Sequence, residues 1–141
     1  MKNNKKIFLI VLFSLFFSSS IFSATKNIQS IFNDGVQAQE EQNLYLACQY
    51  FLEVVNENPS YTEAWFKLAE CSYKLSEFDL ALKYLENAEK IEKNSSKIQN
   101  LKGMIYLALG KVNEGKEIFQ NILKNIPNDI DAHFGLAEIE L

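Results

Sequence analysis

A self-repeat of 34 residues constrains this chain more than any other feature. Gly35, Ala69, Gly103 and Ala137 are each 34 positions apart, and so are Ala47, Ala81 and Gly115. Phe51, Leu85 and Phe119 keep the same interval, and the only two prolines, Pro59 and Pro127, lie two intervals apart. No insertion breaks the register. Within a period, apolar residues recur every three or four positions on both sides of a polar break, as Trp65, Leu68 and Ala69 do before Ser76 and as Ala81, Leu85 and Ala88 do after it. That spacing lines one face of a helix. Each period therefore reads as two amphipathic helices joined by a tight turn, with small residues where the axes must approach closely.

The predicted helices cover residues 28–40 and 44–56, 62–75 and 78–92, 97–109 and 112–125, and a single helix at 130–141. Pro59 closes the first pair because proline disfavours helix at the residue before it. Ser76 is available as a cap, Asp79 suits a first turn, and Gly110 suits a left-handed helix end. Strand alternation and Gly-rich phosphate loops are absent from the sequence.

Period and residue types together resemble the tetratricopeptide repeat, a helix-turn-helix unit with the pattern W-x2-L-G-x2-Y…A-x3-F…P. Trp65, Leu68, Ala81 and Ala88 carry it in one copy, and Gly103, Tyr106, Phe119 and Pro127 in the next. Ser72 replaces the aromatic, Lys93 the proline, and Gln99 and Lys102 the Trp and Leu. The copy at 28–61 is the most eroded, with Asp34 at the Leu position, yet it keeps Gly35, Ala47, Phe51 and Pro59. The resemblance implies an all-α fold of repeats 28–61, 62–95 and 96–129 plus a partial repeat 130–141. These would stack into a short right-handed superhelix with apolar layers between repeats.

Residues 1–24 have a different character. Lys2, Lys5 and Lys6 precede an apolar run from Ile7 that ends in small residues near Ser23 and Ala24. That order describes a secretory signal peptide. The run is shorter than the ~20 residues a spanning helix needs, so membrane contact is expected only if the segment stays uncleaved. Export places the chain in a periplasm or outside the cell. Without those three lysines, eleven lysines face eighteen carboxylates, and arginine is absent from the chain. An acidic domain without a basic stripe is a poor match for nucleic acid.

Catalytic groupings are not expected, and the chain reads as a non-enzyme. His133 is the only histidine and falls where the repeat has an aromatic, so packing at a helix interface is its expected role. Glu40 and Glu41 are adjacent and point in different directions along a helix. A metal or cofactor is not expected either: zinc needs three or four converging ligands, and Cys48, Cys71 and His133 fall on separate elements. Stacking could bring Cys48 and Cys71 together. An exported chain with two cysteines can be oxidised, but free cysteine also suits small buried slots, and both readings stand.

The family resemblance implies a protein-interaction scaffold or assembly factor that holds a partner segment in a concave groove lined by the first helices. Residues three before, one after and four after the small-residue column would line it: Phe32, Val36 and Gln39; Phe66, Glu70 and Tyr73; Asn100, Met104 and Leu107; Phe134, Glu138 and Leu141. Phe66 and Tyr73 are the expected central anchors, with Glu70 and Glu138 favouring a basic residue beside them. An alternative is a self-associating subunit, or a piece of a longer array, because Ile130, Phe134, Leu136, Ile139 and Leu141 spread apolar surface around the last helix.

Overall fold

The computed structural model describes residues 27–140, and among them seven helices follow one another with no strand. They are α1 (Ile28–Glu40), α2 (Leu44–Glu57), α3 (Thr62–Lys74), α4 (Phe78–Ile91), α5 (Ser96–Ala108), α6 (Val112–Asn125) and α7 (Ile130–Glu140). No boundary departs from its expected place by more than one residue. The segment read as a signal peptide and Leu141 lie outside the described residues. α1 packs on α2, α3 on α4 and α5 on α6 as hairpins, and each hairpin stacks on the next to form a short helical-repeat array. No helix among the described residues is long and apolar enough to cross a membrane.

The repeat is written in the backbone as well as in the side chains. Gln42, Ser76 and Gly110, at equivalent places in the three repeats, adopt φ of 61°, 62° and 74°. Just beyond them the N–H groups of Asn43, Glu77 and Lys111 donate to the carbonyls of Ala38, Ser72 and Tyr106, each at 2.8 Å. This is the closure by which a left-handed residue satisfies the last carbonyls of a helix. Gly110 sits there as expected. Ser76 does not cap α4, whose first residues follow Glu77 without a side-chain cap; it ends α3 instead. Caps occur elsewhere: Asn27 and Asn43 accept from the N–H groups of Gln29 and Leu46, and Asp129 accepts from that of Ala132 at 2.9 Å.

Packing explains the small-residue column. Gly35 lies against the ring of Phe51 and Gly103 against that of Phe119, so closely that a Cβ on either glycine would sit 2.7 Å or 2.6 Å from ring carbon. In the middle repeat the same two places hold Ala69 and Leu85, both fully buried in one cluster. A large ring takes a glycine opposite, and a smaller Leu takes an alanine. Phe51 and Phe119 are fully covered, and such burial contributes about 1.5–3 kcal/mol per side chain. Ala137, in register with the column, is exposed because no helix follows α7 among the described residues to pair with it as a hairpin partner; Ala132 and Gly135 are the buried residues of that helix.

A second repeating device ties each loop to the helix after it. The indole N–H of Trp65 donates to the Pro59 carbonyl at 2.8 Å, and two periods later a ring nitrogen of His133 lies 2.9 Å from the Pro127 carbonyl. His133 is exposed rather than packed at a helix interface. It does the polar half of the Trp65 task and leaves the apolar half undone.

Candidate partner-binding groove

The first helices α3, α5 and α7 touch along the array, and their side chains enclose a cavity of about 270 Å³. Phe66 and Glu70 come from α3, Lys97, Asn100, Leu101 and Met104 from α5, and Asp131 and Phe134 from α7. Helical spacing within each element and the stacking of elements between them produce this lining. Five residues of the expected stripe meet here: Phe66, Glu70, Asn100, Met104 and Phe134. Leu107 and Glu138 border a neighbouring depression with Val112 and Ile139. Phe32 and Gln39 are buried and Val36 is half-buried against the first core cluster, so the α1 part of the stripe is floor more than opening.

Burial changes the role of the expected anchors. Phe66 is only 5% exposed, and the Lys97 ammonium sits 4.1 Å above its ring. It supports the floor and is a core residue, so truncating it removes packing as well as contact. Tyr73 is half-buried, its ring 5.8 Å from that of Phe78. Burial, together with the Glu138 carboxylate, pushes its phenol above the ordinary range. Leu101, Met104 and Phe134 are the accessible apolar residues, Phe134 being 58% exposed.

Charge in the groove is largely committed. Lys97 pairs with Glu63 at 2.9 Å, and Lys67 with Glu70 at 2.8 Å. Asp131 and Glu138 form no salt bridge among the described residues. Asn100 is 5% exposed, and its Nδ2 donates to Asp129 Oδ1 at 2.9 Å. A carboxylate only accepts, which fixes the amide orientation. The opposite atom, Asn100 Oδ1, is buried without a hydrogen-bond partner among the described residues. Partial burial works against the charge of Asp129, yet the Ala132 N–H and the Asn100 amide, with further donors, hold its carboxyl below the usual range.

Lys97, Leu101 and Asp131 lie outside the expected stripe. Lys97 and Glu63 occupy the same place in consecutive repeats, and that spacing is the signal that could have paired them. A larger cleft lies elsewhere, about 570 Å³, lined by Asn94, Gln99, Ile118, Asn121 and Asn125 at the loop edge between α4 and α6. Cys48 and Cys71 are both free thiols. No group of three His, Cys, Asp or Glu that could hold a metal ion occurs among the described residues.

Residues 63–95 and 96–129 each match a tetratricopeptide repeat model. No curated protein matches the chain. Among solved structures, the first such domain of Spaghetti (RPAP3), bound to the HSP90 peptide SRMEEVD, superposes with a TM-score of 0.75 at 18% identity, covering 83% of this chain and 93% of that one. The second domain of human RPAP3, in complex with the HSP70 peptide SGPTIEEVD, gives 0.73 at 21% identity, over 79% of this chain and 93% of that one. PilW, a type IV pilus biogenesis factor, gives 0.73 at 17% identity, over 81% of this chain and 52% of that one. At such identities the likeness is one of fold.

Proposed function

Since this chain is a tetratricopeptide repeat protein, we propose that it is a scaffold or assembly factor whose α3–α5–α7 groove holds a segment of another protein. The carrying observation is Asn100, which lines a cavity of mixed apolar and charged residues and whose Oδ1 is a buried acceptor without a partner among the described residues. A buried unpaired acceptor is costly, and a peptide N–H supplies the missing donor. Leu101, Met104 and Phe134 offer apolar contact to an aliphatic or aromatic anchor, and Asp131 and Glu138 favour a basic residue beside it. The relatives solved with peptides hold acidic ones. The lining residue Lys97 already serves Glu63, and Lys67 serves the lining residue Glu70, so an acidic tail finds no uncommitted cation in the lining.

The test is capture of partners by the immobilised chain and by its Met104→Glu variant, followed by titration of labelled SRMEEVD. A partner held by the wild type and lost from the variant, with helical circular dichroism and melting temperature unchanged, supports the groove. Equal retention by both, or saturable SRMEEVD binding, contradicts the proposed chemistry. The proposed setting is an exported one, in a bacterial envelope, and what supports it is the basic, apolar and small-residue order of residues 1–24. N-terminal sequencing of the secreted product tests that, and a start at Met1 would count against cleavage.

One observation favours a second reading. Ile130 is 82% exposed and Phe134 58% on α7, and arrays of this kind need a polar outer face at their ends. Self-association through α7 covers both residues. Light scattering reporting a monomer at high concentration removes this reading.

A further inference from the structure

The two cysteines belong neither to the groove nor to the pattern of the repeat. Cys48 stands on α2 in the first hairpin and Cys71 on α3 in the second, and the stacking of these helices packs Cys48 against the core cluster that holds Cys71. Cys71 is fully covered by the first core cluster. Cys48 is half-buried and borders an open depression of about 210 Å³ shared with Tyr45, Gln49, Leu52 and Tyr84. One thiol is therefore reachable and the other waits behind it.

We propose that Cys48 and Cys71 are an exchange-competent dithiol that closes, on meeting a disulfide-bearing oxidant, into a disulfide tying the first hairpin to the second. Thiolate and access together set exchange rates, and both point to Cys48 as the entry. Contact with the Cys71 thiol lowers Cys48 from its ordinary value, although burial and the Glu77 carboxylate oppose this; the same contact and burial raise Cys71. The Cys48 thiolate attacks one sulfur of the oxidant and expels the other as a thiolate, leaving a mixed disulfide. Cys71 then gives its proton to the expelled thiolate and attacks Cys48 Sγ, releasing the second oxidant thiol. Two protein thiols are oxidised and one external disulfide is reduced to two thiols. Closure needs an oxidising compartment, and it is independent of what the groove binds.

A link between residues 48 and 71 restricts the unfolded chain and raises the melting temperature by on the order of 10 °C. The experiment treats the native full chain with excess oxidised glutathione and reads mass, peptide map and melting temperature. The expected product has lost two hydrogens, carries a Cys48–Cys71 cross-linked peptide without glutathione, and returns to the starting melting temperature with dithiothreitol. Cys71→Ser should trap glutathione on Cys48, while Cys48→Ser should leave Cys71 unmodified in the folded chain. Circular dichroism establishes that each variant is folded, and the wild-type arm decides alone if one is not. Thiols that persist in native wild type yet react in denaturant overturn the proposal. A stable glutathione adduct on wild-type Cys48 that never resolves overturns it as well.

Discussion

Pairs of residues, one from each helix of a hairpin, decide how closely this chain packs. In an ordinary helix interior, Gly→Ala gains about 1 kcal/mol of propensity. At Gly103 the new Cβ would meet the Phe119 ring at 2.6 Å, and Gly135 lies closely against the same ring. A fully buried ring packed against two glycines gives way only by disturbing its other neighbours. We expect Gly103→Ala to lower unfolding stability by about 1–3 kcal/mol, as overpacking does, read by urea denaturation. Phe119→Leu in the same chain should recover part of that loss, because it copies the Ala69 and Leu85 pair of the middle repeat. Strict additivity of the two substitutions in a double-mutant cycle would mean that they do not interact. The spacing of the column is legible in the sequence. Its complementarity is not, since it becomes visible only when Gly103 and Phe119 are seen in contact.

At the scale of the helix, the turn after each first helix is the best test of how the repeat is maintained. Three different residues, Gln42, Ser76 and Gly110, perform the same left-handed step. Side chains other than Gly are strained there by about 1–2 kcal/mol, and removing the strain is partly offset by the greater freedom of glycine in the unfolded chain. Ser76→Gly should therefore stabilise by about 0.5–1 kcal/mol, and Gly110→Ala should destabilise by about 1 kcal/mol. Paired thermal melts of the two variants check both signs. A Ser76→Gly chain less stable than wild type would show that Ser76 makes a contact outweighing its strain. Gly110 is readable because its residue type advertises the conformation. Ser76 reads wrongly as a cap because serine favours that position, and only its register with Gly110 distinguishes the roles.

For the whole molecule, the period suffices to predict the order and limits of the helices, while only part of the expected stripe lines the cavity between α3, α5 and α7. Tertiary detail escapes it. That Phe66 is covered depends on Lys97 folding over the ring towards Glu63, and the orphaned face of Asn100 depends on Asp129 reaching back from the next loop. Neither arrangement has a local signature. In the proposed reading, labour is divided within the array: second helices hold the stack, and the first helices α3, α5 and α7 offer the working surface. The direct test is amide chemical-shift mapping of the full chain titrated with the segment of its partner that capture identifies. Perturbations should concentrate on Glu70, Tyr73, Lys97, Asn100, Met104 and Phe134, with the Asn100 side-chain amide among the largest. Shifts confined instead to the loop-edge cleft around Asn94, Asn121 and Asn125 would contradict a working surface on the first helices.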